Sequence, residues 1–435
     1  MTKHNEMKII HASDLHLGQV IYQHYDRADE HDRFFSQLLD WCERYRPDAL
    51  LVTGDIFDIQ QPSANVWLQF TRHFIRLRRQ CPDLRIILTA GNHDSPSRLH
   101  SHKLVWEEVG TTIVALPPAS DVMDQMAGWE DDFIVSMPSG YIIALPYMVA
   151  PREEVIQHLL DTVASRNTEG LPVVMTGHLA VSGCDVTGHD FDIGNLRGID
   201  LRNLGRGYDY LALGHIHRAQ TLGEKPDDHS GERVTYTSPV ARYAGSALHV
   251  SCDERYPHSV SLVEIDRHGG EVNVTPLRIE QLRHFHTLPL HGDAPISEVA
   301  EAISHLEELA ATLAAKNEEG YVRFRMERSA ILPPDFDQRI YAILESGGNR
   351  LRYNPKIDWT GSDTASDTER VKPRFEVAEL QQMTDPMQFI EKTIDQYEGL
   401  TIETLREAFD EINAEVRRMS EQSKSRKSKT TANTL

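Results

Sequence analysis

The chain has 435 residues, more than one hydrophobic core usually serves, so we expect two or three domains. A formal net charge of −21 argues against general binding of polyanions, and any contact with nucleic acid would have to use local basic patches. The sequence shows no apolar run long enough to cross a membrane and no signal peptide before the first predicted strand. Its four cysteines are far apart, which indicates neither a disulfide framework nor a zinc finger. These features predict a cytoplasmic protein without membrane contact.

Strand-like and helix-like patterns alternate from residue 7 to about residue 180. Such alternation predicts an α/β fold, in which a sheet with parallel strand pairs lies between helices. The predicted strands are 8–11, 49–53, 85–89, 141–145 and 173–176, and the predicted helices are 28–46, 63–80, 97–109 and 152–166. Another strand is predicted at 208–213, and strand-rich sequence follows at 234–237, 260–265 and 272–277.

The second half of the chain predicts a smaller α+β domain over 281–355, after a first domain that covers 1–280. Its pattern reads strand 285–290, helix 296–316, strand 321–327, helix 335–345 and strand 350–353. Residues 356–375 are rich in small and polar residues and predict a linker. Two amphipathic helical patterns occupy 376–419, and the polar tail 420–435 is expected to be disordered.

Potential metal ligands stand at the carboxyl ends of five predicted strands, four of them directly after a glycine. They are Asp14 and His16; Asp55 and Asp58; Asn92, His93 and Asp94; His178; and His215 and His217. Open α/β sheets bind their ligands at the carboxyl ends of the strands, so these five ends can converge. In extended backbone, residues two apart point to the same side, so Asp14 can act together with His16. The sequence therefore predicts a metal site at this edge of the sheet.

The chemistry of these side chains favours two ions over one. Two carboxylates, one amide oxygen and four neutral imidazoles are more than one tetrahedral ion needs, and they suffice for two ions about 3.5–4 Å apart. Mixed nitrogen and oxygen ligands favour Mn²⁺, Fe²⁺, Zn²⁺ or Co²⁺ over Mg²⁺. Two divalent ions against two carboxylates leave a surplus of positive charge, which suits a phosphodiester and its more negative transition state.

Each motif also has a structural interpretation without function. A lone Gly-Asp after a strand is usually a turn, and a lone His-x-His pair is more often incidental than a ligand pair. Here, however, five such motifs each lie at the end of a predicted strand. This agreement between the motifs and the predicted fold favours the metal site.

The sequence resembles the calcineurin-like metallophosphoesterases, whose five motifs match Asp14-x-His16, Gly54-Asp55-x-x-Asp58, Gly91-Asn92-His93-Asp94, Gly177-His178 and Gly214-His215-x-His217. Longer stretches, among them SDLHLGQVIYQHYDRADEHDRFFSQLLDW and ALGHIHRAQ, are similar to the nuclease subunits of bacterial double-strand-break repair complexes. The similarity is strong over about residues 7–255. It implies a four-layer α/β/β/α sandwich with a small capping domain and a C-terminal helix pair.

The resemblance also implies a role for each residue of the motifs. One ion would be held by Asp14, His16, Asp55 and His217, with Asp55 as the bridge, and the second would be completed by Asn92, His178 and His215. His93 would be the catalytic histidine, and Asp94 beside it would orient its ring. Asp58 would be a possible contact to the DNA backbone.

The same resemblance implies a DNA nuclease that uses two divalent ions, with Mn²⁺ expected. The 281–355 domain would narrow the cleft and contact DNA, residues 376–419 would dock on the coiled coil of an ATPase partner, and the chain would form a homodimer. Alternatives remain at this point. The helix pair can instead pack on its own chain, the substrate can be a small nucleotide or a phosphoprotein, and a non-catalytic scaffold is a third possibility that the retained His93 disfavours.

Overall fold

The computed structural model describes residues 6–22, 24–119, 121–124, 128–187, 198–224, 231–289, 294–348 and 350–360. These residues belong to one compact unit that ends at Thr360. The predicted helix pair at 376–419, the predicted tail at 420–435 and the part of the predicted linker beyond residue 360 lie outside the described residues. None of the helices within the described ranges is both long and apolar enough to cross a bilayer.

The secondary structure follows the predicted alternation of strands and helices. The strands are β1 Met7–Ala12, β2 Val20–Ile21, β3 Tyr25–Asp26, β4 Ala49–Thr53, β5 Arg85–Thr89, β6 Thr111–Val114, β7 Ile134–Met137, β8 Gly140–Ile143, β9 Val173–His178, β10 Tyr210–Gly214, β11 Gln220–Thr221, β12 Val234–Thr237, β13 Val240–Tyr243, β14 Ser259–Ile265, β15 Glu271–Arg278, β16 Arg283–Leu288, β17 Glu319–Glu327, β18 Leu351–Tyr353 and β19 Asp358–Thr360. The helices are α1 Ala28–Tyr45, α2 Ala64–Gln80, α3 Pro96–Ser101, α4 Lys103–Glu108, α5 Glu153–Arg166, α6 Val299–Lys316 and α7 Phe336–Ser346, with 3₁₀ turns at Val122–Asp124, Trp129–Asp132 and Leu201–Leu204.

Two mixed sheets build the larger part of the unit. The first has the order β12-β15-β14-β1-β4-β5-β6 and the second the order β11-β13-β10-β9-β8-β7. Strands β1, β4, β5 and β6 run parallel, as do β13, β10, β9 and β8. The register aligns the carboxyl ends, because Thr53 lies opposite Thr89 in the first sheet and His178 opposite Gly214 in the second. Parallel strands thus bring their ends, and whatever follows them, to one edge of each sheet.

Alternating side chains of the central strands divide the apolar core into two layers. Ile9 and Leu51 pack in a cluster with residues of the second sheet and of α5. Their neighbours Ile10 and Leu50 pack in another cluster with α1 and α2. Helices therefore cover the outer face of each sheet, while the inner faces pack on one another. This confirms the predicted α/β/β/α sandwich.

A smaller sheet occupies the end of the described chain, as the sequence predicts for this region. Its order is β16-β17-β18, with β19 also paired to β17, and α6 and α7 pack on it around Phe324 and Ile340. We refer to residues 283–360 as the capping region. Asp358–Thr360 falls within the predicted linker, but this stretch forms a strand through its pairing with Arg325–Glu327, so the ordered region extends beyond residue 355.

Candidate metal centre

The five predicted motifs lie together at the carboxyl ends of β1, β4, β5, β9 and β10. Asn92, after β5, joins the two sheets, because its Oδ1 lies 2.9 Å from Nε2 of His178 and 3.1 Å from Nδ1 of His215. Asp55, after β4, places its Oδ2 3.3 Å from Nε2 of the same His178. Asp55, Asn92, His178 and His215 thus surround a single point.

A second group lies directly beside the first. Asp14, His16 and His217 can each offer a ligand atom within 4.8 Å of the others. Asp55 lies between the groups, since its Oδ2 is also 3.9 Å from Nε2 of His16. The backbone N–H of His215 donates to the Asp14 carboxylate at 3.1 Å, which ties the two groups together. All seven predicted ligands are therefore brought together, with Asp55 central to both groups.

The backbone of this site is held in an unusual conformation. The backbone angle φ is positive at four of its residues: Asp14 (50°), His16 (46°), Asp55 (47°) and His215 (92°). Residues other than glycine rarely adopt a positive φ. Asp14 and His16 therefore converge through left-handed backbone, and the extended geometry that we predicted for this pair is wrong. Strain of this kind costs about 1–3 kcal/mol per residue and persists where the surrounding structure fixes it, commonly at functional sites.

Three of the four glycines that precede the ligands are required mainly by close approach. A Cβ on Gly54 would lie 2.0 Å from Nδ1 of His178, and a Cβ on Gly91 would lie 2.1 Å from Oδ1 of Asp55. A Cβ on Gly214 would lie 1.9 Å from the carbonyl oxygen of Thr53. Of these three, Gly54 also has a positive φ, of 89°. Only glycine lets the strand ends approach so closely.

Burial and neighbouring charges shift the pKa values of the side chains at this site. Burial alone would lower the pKa of His16, yet the neighbouring carboxylates of Asp58 and Asp55 raise it to about 9. Burial also opposes the charged form of His178, but the charge of Asp55 raises the pKa of this histidine to about 9. Asp55 itself has its pKa held well below the usual range, because His178 and His16 outweigh the effect of burial. In the absence of metal, the site therefore retains protons that a bound ion would displace.

The arrangement of donors and acceptors fits a cation. His178 donates its Nδ1–H to the carbonyl oxygen of Thr53 at 2.9 Å, so in the neutral ring Nε2 carries a lone pair. That nitrogen faces two oxygens, Oδ1 of Asn92 and Oδ2 of Asp55. His16 is 3% exposed, and among the described residues neither of its ring nitrogens has a hydrogen-bond partner, although Nδ1 lies 3.3 Å from Oδ1 of Asp58. Lone pairs that face one another in a buried site are stabilised by positive charge, and the residues fit a pair of divalent ions.

Asp94 does not take the predicted position. Its carboxylate accepts the backbone N–H groups of Gly91 at 2.8 Å, Phe57 at 2.9 Å and Ile56 at 3.1 Å, and it is buried. The prediction that Asp94 orients the ring of His93 is therefore wrong, because the carboxylate of Asp94 is bound to these N–H groups and Nδ1 of His93 donates to the carbonyl of Asp58. Instead, Asp94 ties the loop after β5 to the loop after β4 and so holds Asn92 beside Asp55.

Asp58 supports the two histidines on this side of the site. Its backbone carbonyl accepts the Nδ1–H of His93 at 2.7 Å, and its carboxylate lies 3.3 Å from Nδ1 of His16. A carboxylate aimed at a ligand histidine is poorly placed to hold the phosphates of DNA, which it would repel. The structure thus makes Asp58 a residue that positions His16 and His93, and its contact with the DNA backbone stays a prediction. His93 itself is exposed, with its ring centroid 4.9 Å from that of His16.

Sequence reasoning missed Glu254. Its Oε1 accepts the Nδ1–H of His217 at 2.7 Å, and it is 2% exposed. A carboxylate in this position fixes the ring orientation and tautomer of a metal-binding histidine. Glu254 follows no strand of the ligand-bearing set, so no pattern in the sequence marked it.

This fold and this cluster of ligands define the class of metal-dependent phosphoesterases. The sequence model of the calcineurin-like phosphoesterase family matches residues 7–219 of this chain. The chain is also 30% identical over 276 residues to the SbcD component of the nuclease SbcCD from Escherichia coli (strain K12), in an alignment that covers 59% of this chain and 65% of that protein. It thus spans less than two thirds of the length of that relative.

Other relatives have the same printed description. The SbcD component of the nuclease SbcCD from Rhodobacter capsulatus is 28% identical, with 69% of this chain and 76% of that protein covered, and that from Bacillus subtilis is 25% identical, with 59% and 66% covered. Among solved structures, a dimetal phosphatase from Danio rerio is 12% identical, with 62% of this chain and 98% of that chain covered, and has a TM-score of 0.37.

Proposed function

We propose that the chain is a metal-dependent DNA nuclease that hydrolyses phosphodiester bonds, as a 3′–5′ double-strand exonuclease and as an endonuclease on single strands and hairpins. The observation that supports it is the central position of Asp55, which lies between the ligand group of Asp14 and the ligand group of His178. Such a pair of sites suits two ions, and we propose Mn²⁺ for both. The nuclease relatives supply the substrate class.

The metal ions and the side chains around them would have separate roles in hydrolysis. When bound, two divalent ions would neutralise charge on the phosphate and lower the pKa of the attacking water. His93 in its imidazolium form would donate the proton on Nε2 to the leaving oxygen and become the neutral ring that keeps its Nδ1–H on the carbonyl of Asp58. Its exposed ring suits contact with a substrate, and Asp58 holds it in one orientation. Glu254 and the Thr53 carbonyl hold the ligand histidines His217 and His178 in the tautomers that leave Nε2 for the metal.

The chain would work within a larger assembly in DNA repair, recombination and replication, close to the bacterial nucleoid. An SbcC-type ATPase would bind through its coiled coil to residues 376–419, which lie outside the described residues. This part of the proposal rests on the SbcCD name of the relatives and on the two amphipathic patterns, which need a partner surface.

A homodimer within a heterotetramer is supported by exposed apolar side chains on α2 and α4. Leu68, Leu104 and Val105 are 56%, 75% and 70% exposed, and the two helices adjoin where Trp67 stacks on His102. Leu104→Glu should convert the dimer to a monomer in sedimentation analysis, while Ile331→Glu, at a residue 89% exposed in the capping region, should leave the dimer intact. A monomeric wild-type chain would contradict this part of the proposal.

The substrate class is tested by comparing DNA with a small phosphate ester. The purified chain should nick a 5′-labelled hairpin DNA with Mn²⁺, and chelation should abolish the cleavage. His93→Ala should lose at least about a hundredfold in rate, whereas His100→Ala, an exposed histidine on α3, should cleave like the wild type. Turnover of a nucleotide monoester without cleavage of DNA, even with the ATPase partner and ATP present, would establish the alternative of a small-substrate phosphoesterase.

A further inference from the structure

A second cluster of metal-binding side chains lies outside the centre described above. His249, Glu254 and His258 can each offer a ligand atom within 4.8 Å of the other two. Glu254 and His258 are each 2% exposed, and His249 is half-buried with its ring 4.1 Å from that of His258. All three belong to the segment between β13 and β14, which none of the predicted motifs includes.

Hydrogen bonds fix the tautomer of each neutral ring. Nδ1 of His249 lies 2.9 Å from the backbone carbonyl oxygen of Glu254, and Nδ1 of His258 lies 2.9 Å from that of Ser246. A carbonyl oxygen only accepts, so both Nδ1 atoms carry the proton, and each neutral ring has its lone pair on Nε2. Histidines that bind metals characteristically donate their other N–H to a carbonyl or carboxylate in this way.

Glu254 completes the set of ligands. Its Oε1 is committed to His217, while its Oε2 accepts the backbone N–H of Val250 at 3.0 Å and lies 3.5 Å from Nε2 of His258. The Ser246 hydroxyl also donates to Oε2, but at 3.5 Å this contact is long, so an ion can replace it at the second lone pair of the oxygen. Because Nε2 of the neutral His258 also carries a lone pair, the two atoms repel one another unless a proton or a metal ion lies between them.

A cavity gives an ion access to this cluster. It has a volume of about 360 Å³ and is lined by His249, Glu254 and His258 together with Phe285 and His286 of β16. The ring of His249 packs 5.5 Å from that of Phe285. The cluster therefore lies where the capping region meets the two-sheet part of the unit, with room beside it for a water ligand.

We propose that His249, Glu254 and His258 form a third metal site, which binds a borderline divalent ion of the Zn²⁺ class with water in the remaining position. Two imidazole nitrogens and one carboxylate oxygen are a ligand set that Zn²⁺ and Co²⁺ bind readily. Through Glu254 the site connects to His217, so the ion stabilises the carboxylate that orients a ligand of the main centre. This proposal goes beyond the nuclease activity and stands without it.

The test counts the ions that the metal-free full chain binds on titration with Co²⁺, by absorption and by elemental analysis. The wild type should bind three ions, and His249→Asn should bind two. Asparagine retains an N–H near the position of Nδ1 for the Glu254 carbonyl but lacks the second nitrogen. The matched control is His286→Asn, which lines the same cavity and should bind three ions.

A variant that lacks ligands of the main centre allows ion binding at the third site to be measured by itself. In the triple variant Asp14→Asn, Asp55→Asn, His178→Asn, which removes both carboxylates of the main centre, one ion should remain, and adding His249→Asn should weaken its binding at least about tenfold. His258→Asn, which also retains an N–H for the Ser246 carbonyl, should lose the same ion if His249→Asn proves poorly folded. Equal numbers of ions and equal affinities in the wild type, His249→Asn and His258→Asn would overturn the proposal, whatever the chain does to DNA.

Discussion

Oδ2 of Asp55 lies 3.3 Å from Nε2 of His178, a residue that belongs to the other sheet. The contact crosses the sandwich at the edge where the parallel strands of both sheets end. The carboxylate of Asp55 lies beside predicted ligands that follow strands of both sheets, so neither sheet alone could build the centre.

Asp55→Asn should remove the shared negative charge while retaining the size of the side chain. We expect the rate of DNA cleavage to fall at least about a hundredfold, because the variant loses a carboxylate ligand and with it the negative charge that balances the metal ions. The measurement is the initial rate of cleavage at saturating Mn²⁺. Asp266→Asn, at a side chain 55% exposed, is the control and should cleave normally. Cleavage by Asp55→Asn within threefold of the wild type would exclude a central role for this carboxylate.

Glu254→Gln should shift the dependence of activity on Mn²⁺. Glutamine can still accept the Nδ1–H of His217 but carries no charge, and loss of such a supporting carboxylate typically weakens metal binding about 10–100-fold. The Mn²⁺ concentration at half-maximal rate should rise, while excess Mn²⁺ should restore much of the maximal rate. Glu271→Gln, at an exposed position of β15, should leave the curve unchanged. A lowered maximal rate with an unchanged midpoint would contradict the positioning role.

Gly214→Ala should destabilise the fold and disrupt the centre together. The new Cβ would lie 1.9 Å from the carbonyl oxygen of Thr53, and backbone atoms cannot yield without moving a strand end. We expect the free energy of unfolding to fall by at least about 2 kcal/mol. Urea denaturation of the metal-free chain measures this effect. Gly347→Ala is the control, since its nearest neighbour would be 3.5 Å away, and it should change the free energy of unfolding little.

An ion-pair network joins α1 to the capping region and should make the free energy of unfolding depend on pH in the acidic range. Arg283 reaches the carboxylates of both Asp29, at 2.5 Å, and Glu30, at 3.4 Å. Burial alone would raise the pKa of these carboxyl groups, but Arg283 on Asp29 and Arg27 on Glu30 outweigh it and lower the pKa of each. A depressed pKa contributes stability above the pKa of the unfolded chain, near 4, and this contribution is lost as the pH falls through the lower pKa of the folded chain.

Arg283→Met should therefore lower the free energy of unfolding by about 1–3 kcal/mol near neutral pH, and the difference from the wild type should shrink below about pH 4. Urea denaturation across pH 3–7 measures both. The control is Arg33→Met, whose partner Glu280 is 76% exposed, and this exposed pair should contribute little at any pH. A difference for Arg283→Met that grows in acid would have the wrong sign for this network.

The sequence predicts those parts of the molecule whose signals are local. Strands Ala49–Thr53 and Arg85–Thr89 were predicted with their observed bounds, because continuous apolar runs between polar segments are typical of buried parallel strands. The ligands were predicted because each follows such a strand. The short strands Thr111–Val114 and Val240–Tyr243 were missed, since four residues carry too little periodicity to be distinguished from a loop.

The supporting residues depend on contacts between distant parts of the chain, which no local pattern contains. Glu254 reaches His217 only after the segment between β13 and β14 has folded back on the centre. Asp94 was predicted to orient His93 because the two are adjacent in the sequence, but the backbone turn aims its carboxylate at the N–H groups of Ile56 and Phe57. The break of the predicted third helix into α3 and α4 at His102 was likewise missed, because it changes neither the apolar spacing nor the composition.

Electron paramagnetic resonance of the Mn²⁺-loaded chain tests the central claim most directly, when the cleavage rate is measured on the same samples. The two-ion account predicts a spin-coupled pair of Mn²⁺ ions in the wild type, cleavage that rises with the coupled signal, and loss of both in Asp55→Asn. Full cleavage of DNA with isolated, uncoupled Mn²⁺ ions would contradict it.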